Sequence, residues 1–391
     1  MYELEQLQNV YKNLSIALAD ANNALIKKER NAVDNFENVS NEIKKISLTL
    51  NENKLTESIM NRTISEIGSE NIETVGSYVF YDCSSLTSAN FPACTTIGNY
   101  AFYSCSSLTN ADFPVCTLIG ACAFYDCNSL TNADFPTCTT IGSSAFYGCD
   151  NLISANIPAC TGIGSSTFYG CDNLISADFP MCSYIGDHAF WWLRNLISVN
   201  FPTCTTIGTR AFQSCHKLEN INLPACTTFS SYAFANCIRL TSVEFPVCTS
   251  INSYVFNACN NLISADFPMC SYIGVSAFQS CHKLENINLP ACTTIASSAF
   301  ASCTSLTAVD FPACTKIDNS AFHDCTSLIS FTLANSSVVT LANRNVFIRT
   351  PMSTSSYTGA FGSIYVPASL VSAYKSATNW ASYAARITAI P

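Results

Sequence analysis

Residues 108–127 carry the sequence LTNADFPVCTLIGACAFYDC, and variants of this unit recur along the chain at a period of 22 residues. The unit contains two kinds of cysteine, one after Phe-Pro, as at Cys116, and one after Ala-Phe, as at Cys127. A single unit of this length cannot bury its own apolar side, whereas stacked units bury a continuous core. The sequence therefore predicts a β-rich repeat solenoid of about twelve coils over residues 75–333.

Each unit also predicts its own local structure. The extended segment at 109–113 should end at Pro114, because proline cannot donate to a strand ladder. A second short extended piece should centre on Ile119 and turn at Gly120, and the Ala-Phe segment that follows should form a tight helical turn. The phenylalanine of this segment returns in every coil, so we expect one stacked column of rings. Its members are Phe80, Phe102, Phe124, Phe146, Phe168, Phe190, Phe212, Phe234, Phe256, Phe278, Phe300 and Phe322.

The 23 cysteines are the strongest compositional signal. They recur every 11 residues from Cys83 to Cys325, with Leu193 in place of one of them and only Cys122 out of phase. Equivalent cysteines of neighbouring coils should lie about 4.8 Å apart, whereas a disulfide needs a Cβ separation of about 3.5 to 4.5 Å. The chain has no CxxC motif or Cys/His cluster of metal-ligand spacing. We therefore expect a ladder of buried free thiols, with no metal and no cofactor.

These motifs resemble the BspA-like leucine-rich-repeat family, whose members combine Ile/Phe-Pro, Thr-x-Ile-Gly and Ala-Phe-x-x-Cys-x-x-Leu. The resemblance covers about two-thirds of the chain and places Leu108, Ala111, Phe113 and Cys116 inward in the frame LxxLxLxxC. It implies a leucine-rich-repeat solenoid and a bacterial or bacteriophage surface-interaction protein without a catalytic motif. The segment 62–67 also resembles the run-in of repeat proteins from gut-bacterial prophage tail regions, which favours a virion accessory.

The two ends of the chain predict different structures. Residues 1–60 are helix-forming and contain an apolar seam with heptad spacing, typical of a coiled coil. We expect residues 1–50 to form a homo-oligomer, a trimer being one candidate; the alternative is a helical hairpin folded back on the first coil. Residues 61–74 should form a run-in, and residues 334–391 a C-terminal cap. The seam consists of Leu4, Leu7, Tyr11, Leu14, Leu18, Ala21 and Leu25.

Composition and charge argue against several classes of protein. The net charge of −9 disfavours nucleic acid as a partner, and no run of 18 apolar residues predicts a membrane span. The amino terminus lacks the basic and apolar regions of a signal peptide, so we expect a virion or a cell-surface location reached by a route other than Sec. The sequence contains no nucleophile–base arrangement and no phosphate-binding loop, so we do not expect an enzyme.

The strand positions that face solvent are the candidate binding surface. The fifth position of the frame forms a column of Asn and acidic residues, and a row of acids at strand spacing repels itself. This column therefore has three interpretations: a solvated face, a contact surface for a basic or glycan ligand, or a cation site. Its acidic members are Asp112, Asp134, Asp178, Glu244, Asp266 and Asp310.

An apolar strip and a tryptophan pair complete the candidate site. The second frame position is isoleucine in three consecutive coils, which predicts an exposed apolar strip. Trp191 and Trp192 precede the last of these coils and could anchor a partner or stack on a sugar ring. The alternative is that they lie on the convex side and fill space around Leu193. The isoleucines are Ile153, Ile175 and Ile197.

The sequence thus predicts a non-enzymatic recognition or adhesion rod that presents its strand face to a host-surface protein or glycan. It would belong to a bacteriophage tail or to a bacterial surface. The alternative function is a purely structural spacer in a virion or surface assembly.

Overall fold

The computed structural model describes residue 59 and residues 61–68, 72–353 and 361–391. The predicted coiled coil of residues 1–50 lies outside the described residues.

The chain divides into two compact units, Met1–Cys182 and Ser183–Pro391, and the described residues of each form a parallel β-solenoid. In the first unit a three-residue strand alternates with a two-residue strand, because each 22-residue coil contains one of each. Its strands are β1 (Glu66–Gly68), β2 (Thr74–Val75), β3 (Ser88–Asn90), β4 (Thr96–Ile97), β5 (Asn110–Asp112), β6 (Leu118–Ile119), β7 (Asn132–Asp134), β8 (Thr140–Ile141), β9 (Ser154–Asn156), β10 (Gly162–Ile163) and β11 (Ser176–Asp178).

The second unit continues the same alternation and ends in a short helical region. Its strands are β12 (Tyr184–Ile185), β13 (Ser198–Asn200), β14 (Thr206–Ile207), β15 (Asn220–Asn222), β16 (Thr228–Phe229), β17 (Ser242–Glu244), β18 (Ser250–Ile251), β19 (Ser264–Asp266), β20 (Tyr272–Ile273), β21 (Asn286–Asn288), β22 (Thr294–Ile295), β23 (Ala308–Asp310), β24 (Lys316–Ile317), β25 (Ser330–Thr332), β26 (Thr340–Leu341), β27 (Ser363–Val366) and β28 (Ile387–Ala389). Helix α1 spans Val371–Ser376, between the 3₁₀ helices Ala368–Leu370 and Ala381–Arg386.

Strands pair in parallel with their equivalents one coil away, so the register follows the sequence period. The two-residue strands form the order β2-β4-β6-β8-β10 in the first unit. In the second unit they form the order β12-β14-β16-β18-β20-β22-β24-β26. The three-residue strands form β1-β3-β5 and β7-β9-β11 in the first unit, with an interruption between β5 and β7. In the second unit they form β13-β15, then β17-β19-β21, then β23-β25-β27-β28.

The Ala-Phe segment forms the predicted tight turns, as from Tyr103 N to Tyr100 O at 3.3 Å, but these turns are not helical and are also hydrogen-bonded between coils. Tyr100 N donates to Ala121 O at 2.9 Å, and Phe102 N donates to Ala123 O at 2.8 Å. Tyr100 and Ser104 have φ of 57° and 56°, and such left-handed residues prevent a right-handed helix. Each coil is therefore joined to the next on three sides.

The predicted phenylalanine column is confirmed within both units. Phe102 and Phe124 stack with ring centroids 5.2 Å apart, and Phe124 and Phe146 at 5.3 Å. In the second unit Phe190 and Phe212 stack at 5.0 Å. These rings are fully buried, so they form the centre of the core.

The cysteine ladder is also confirmed. All 23 cysteines are free thiols, and all are buried except Cys122, which is half-buried. A thiol after Ala-Phe donates to a carbonyl of the preceding coil, as from Cys127 Sγ to Phe102 O at 3.1 Å. A thiol after Phe-Pro donates within its own coil, as from Cys138 Sγ to Thr140 O at 3.2 Å. The weak S–H donor thus satisfies a carbonyl of the Ala-Phe turn in the first case and of the short strand in the second.

The glycine after the short strand allows the backbones of two coils to approach closely. A Cβ on Gly142 would lie 2.4 Å from Ala121 N, and one on Gly98 would lie 2.4 Å from Ser77 N. A side chain at either position would require the neighbouring backbone to shift locally, and equivalent positions of other coils do carry side chains, namely Ser230, Asn252, Ala296 and Asp318.

The described residues form about 14 turns, more than the twelve coils predicted from the sequence. The additional turns come from sequences that depart from the repeat. β1 precedes the first complete repeat and pairs with β3, and at the other end β27 pairs with β25 and β28 with β27. Backbone pairing does not require the repeat's side chains, so counting sequence repeats underestimates the number of turns in the solenoid.

Aromatic residues in and after α1 pack on the last coils. Trp380 Nε1 donates to Val339 O at 2.7 Å, and Val339 N donates to Tyr374 Oη at 3.0 Å. The Tyr383 ring meets Phe347 edge-on at 5.2 Å, at the end of the phenylalanine column. These side chains cover apolar surface that no further repeat covers.

Candidate interaction surfaces

The strand face consists of the three-residue strands, whose central residues point inward and whose outer residues point to solvent. The acidic column predicted from the sequence lies on this face. Asp112, Asp134, Asp178, Glu244 and Asp310 are exposed, and Asp266 is half-buried. No group of three or more His, Cys, Asp or Glu side chains in the described residues could hold a metal ion.

Asparagines in the same column reduce its self-repulsion. Asn156 Nδ2 donates to Asp134 Oδ1 at 2.8 Å, and Asn288 Nδ2 donates to Asp266 Oδ1 at 2.7 Å. Partial burial raises the pKa of Asp310. An amide donor between carboxylates satisfies one oxygen and separates the charges, so the column is compatible with a solvated face.

Two shallow grooves interrupt the strand face, each with a volume of about 440 Å³. One lies over β5, β7 and β9, and the other over β19, β21, β23 and β25. Both coincide with interruptions in the strand order, between β5 and β7 and between β21 and β23. At these points the central residues Ala111 and Ile287 become half-exposed. Ala111 lines the first groove and Ile287 the second.

The isoleucine strip is exposed in each unit. In the first unit, the exposed fractions of Ile153 and Ile175 are 49% and 46%, and Ile175 N donates to Ile153 O at 3.4 Å. In the second unit Ile197 is 39% exposed and its carbonyl accepts from Glu219 N at 2.9 Å. The apolar strip therefore meets a charged residue in the coil after Ile197.

The tryptophan pair lies in the turn segment between β12 and β13, apart from the strand face. The rings of Trp191 and Trp192 are 6.2 Å apart. Trp192 is 41% exposed and has φ of 66°, whereas Leu193 beside it is fully buried. The structure thus separates the tryptophans from the acidic column and the isoleucine strip.

Two features of the turn side, which is the face formed by the Ala-Phe segments, were not predicted from the sequence. In the first unit tyrosines form an external stack, with Tyr103 and Tyr125 at 4.7 Å and Tyr125 and Tyr147 at 4.5 Å. In the second unit Arg210 lies 5.9 Å from the Trp191 ring centroid. The tyrosines repeat at 22-residue spacing, so the alignment that revealed the cysteines could have revealed their stack, whereas the Arg210–Trp191 contact follows no such period.

Most of the buried thiols are poor candidates for chemistry. Burial raises the pKa of Cys116 and of Cys138 to about 12, and of Cys160 to about 11. The thiolate is the reactive form, so these groups are inert near neutral pH. Burial also raises the pKa of Cys122, although its side chain reaches solvent.

Stacked parallel strands with an open outer face define a leucine-rich repeat protein, a class of interaction scaffold. The family model for the BspA-type leucine-rich repeat region matches residues 55–175, 183–291 and 249–368. The chain therefore belongs to the BspA-type leucine-rich repeat family, whose members typically bind proteins or mediate adhesion and are typically surface-associated.

Two solved structures are similar to this chain. A leucine-rich repeat protein from Bacteroides ovatus superposes with a TM-score of 0.57 at 20% identity, over 84% of this chain and 92% of that one. A leucine rich cell surface protein from Faecalibacterium prausnitzii matches with a TM-score of 0.40 at 22% identity, over 82% of this chain and 86% of that one. No curated protein matches this chain. Within the described residues, none of the helices has the length and apolarity needed to cross a bilayer.

Proposed function

We propose that this protein is a non-enzymatic recognition solenoid that presents its strand face to a host-surface protein or glycan. The observation that carries the proposal is the exposed pair Ile153 and Ile175 on adjacent coils. Adjacent exposed apolar side chains beside polar neighbours are typical of interaction surfaces. The groove over β5, β7 and β9 gives the same face a concave surface next to the pair.

The proposed setting is a bacteriophage tail or a bacterial surface, with residues 1–50 joining copies of the chain. The segment at residues 62–67 favours the bacteriophage-tail setting, because it resembles the run-in of prophage repeat proteins. Tail genes beside the coding sequence would support this setting, whereas a neighbourhood without any phage gene would contradict it.

Binding of the full chain to glycan and host-protein arrays tests the function. The variant Ile153→Thr/Ile175→Thr should lose binding, and it should fold normally, since Thr109 and Thr131 occupy the same position in other coils. Ile329→Thr is the matched control, because Ile329 is equally placed and 53% exposed, but lies in the last complete repeat. Retained binding by the double variant would contradict the strand-face proposal. Absence of binding across both arrays would favour the structural spacer.

A further inference from the structure

The cationic side chains of the repeat tract are concentrated in a short region. Residues 75–187 contain eight acidic and no basic side chains. Residues 188–239 contain four basic side chains and a single acidic one, Glu219. This concentration gives the second unit a basic region within an otherwise acidic repeat tract. The four basic residues are Arg194, Arg210, Lys217 and Arg239.

Two of these arginines combine with aromatic rings into one surface on the turn side. The guanidinium carbon of Arg210 lies 5.9 Å from the ring centroid of Trp191 and 5.2 Å from that of Tyr232. The guanidinium carbon of Arg194 lies 5.5 Å from the ring centroid of Trp192. The two indoles are themselves 6.2 Å apart, so the set is continuous. We call these five residues the Trp/Arg patch.

The charges of the patch are not neutralised within the described part of the chain. No described carboxylate lies within ion-pair distance of Arg194 or Arg210. The adjacent Asp187 directs Oδ1 to the backbone N–H of Thr209, at 2.7 Å. Arg210 Nε is buried and has no hydrogen-bond partner. The rings hold the guanidinium groups in place while their positive charge remains available to an anion.

Trp192 occupies a position where a tryptophan is unfavourable for the isolated protein. Its φ of 66° is left-handed, a conformation that costs an L-residue roughly 1 to 2 kcal/mol. The indole is 41% exposed, so little burial compensates for that cost. Other coils place small or polar residues here, such as Ser214 and Ala258. Packing therefore does not explain the indole, whereas contact with a ligand would.

We propose that the Trp/Arg patch binds an anionic saccharide, a sugar chain that carries carboxylate or sulfate groups. The indole of Trp192 provides a flat apolar surface for the CH face of a sugar ring. Guanidinium groups bind carboxylate or sulfate oxygens through paired N–H donors. None of these residues lies on the strand face, so the inference goes beyond the proposed function.

An acidic peptide is the competing ligand for a cationic surface. Peptides gain affinity mainly from apolar anchors that enter pockets. Between residues 188 and 239 the exposed large apolar side chains are Trp192 and Ile197, and Ile197 precedes a strand of the other face. One flat indole flanked by guanidinium groups is better suited to binding a sugar ring than to binding several apolar anchors of a peptide.

Calorimetric titration of the full chain at low salt tests the proposal with four octameric probes. A heparin octasaccharide carries sulfate and carboxylate, an octagalacturonate carries carboxylate alone, maltooctaose is neutral, and octaglutamate is an acidic peptide. The chain should bind one or both anionic saccharides, more weakly as salt is raised, and should not bind maltooctaose. Binding to octagalacturonate would assign a carboxylate ligand, and binding to heparin alone would assign a sulfated one.

The variants Trp192→Ser and Arg194→Asn should each weaken that binding about tenfold or more. Both residues already occur at these positions, as Ser214 and Asn260, so the fold should tolerate them, as thermal unfolding would verify. Lys283→Gln is the matched control, because it removes one exposed cation outside the patch. The Ile153→Thr/Ile175→Thr variant should keep full saccharide affinity, which separates this site from the strand face.

Three outcomes would overturn the assignment. One is equal saccharide affinity in the parent and in the folded patch variants. Another is absence of binding to both anionic saccharides. The third is binding of octaglutamate alone, which would make the partner an acidic protein segment.

Discussion

At the scale of single residues, the buried cysteines contribute to the stability of the core. Each donates its S–H to a backbone carbonyl, as Cys105 Sγ does to Phe80 O at 3.0 Å and Cys116 Sγ to Leu118 O at 3.3 Å. The neutral thiol suits an apolar interior, whereas a thiolate there would be severely destabilised. Burial accordingly raises the pKa of Cys138 and Cys314 to about 12.

This pKa shift predicts alkaline unfolding. An unfolded thiol has a pKa of about 8.5, so above that pH the unfolded chain releases protons that the native protein retains. The contribution to stability is complete below about pH 8.5 and is lost as the pH rises towards the native pKa, by about 1.4 kcal/mol per thiol and pH unit. The loss over several thiols exceeds a typical total stability of about 5 to 15 kcal/mol.

We therefore expect the melting temperature to be nearly constant from pH 6 to 8 and to fall steeply between pH 9 and 10, as measured by circular dichroism. Lysine and tyrosine titrate mainly above about pH 10, so a fall that begins at pH 9 belongs to the thiols. A melting temperature that stays constant to pH 10 would contradict the shifted pKa values.

At the scale of elements, each coil contributes one ring to an internal stack and, in the first unit, one to an external stack. Phe124 lies 5.2 Å from Phe102 inside, and the adjacent Tyr125 lies 4.7 Å from Tyr103 outside. The neighbouring residues Phe124 and Tyr125 therefore belong to stacks with similar ring spacing, but only the Phe124 ring is fully buried. The difference separates the contribution of burial from that of stacking.

The Phe124→Ala variant should be destabilised by about 3 to 5 kcal/mol, because it leaves a cavity between two rings. Tyr125→Ala removes a comparable stack from the half-buried outside and should cost about 1 kcal/mol. Urea unfolding of both variants measures the difference. Equal losses would show that the internal column does not dominate the core.

Sequence reasoning could predict the strands better than the turns. Side chains alternate strictly along a strand, so the sequence predicts which positions point outward, and Asp112 and Ile153 are both exposed. The Ala-Phe segment was predicted as a helical turn, yet Tyr100 and Ser104 adopt left-handed φ. Propensity alone does not predict such conformations for residues other than glycine. The proximity of Arg210 to Trp191 depends on this backbone and was missed for that reason.

For the whole molecule, the apolar seam of residues 1–60 predicts that copies of the chain associate. Light scattering after size-exclusion chromatography should give a multiple of the 42.3 kDa chain mass for the full protein. A chain that begins at residue 55, where the family match begins, should be monomeric. A monomeric full-length chain would contradict the predicted coiled coil.

The central claim is that successive windings place equivalent side chains above one another, with reduced sulphur inside. Quantitative alkylation at pH 8 without reductant, read by intact mass, tests it most directly on all 23 cysteines. We expect slow modification of one thiol, Cys122, which the Cys122→Ser variant should abolish, and full modification of the rest only after denaturation. Rapid labelling of many thiols in the native protein, or thiols missing from the denatured count because they form disulfides, would contradict the claim.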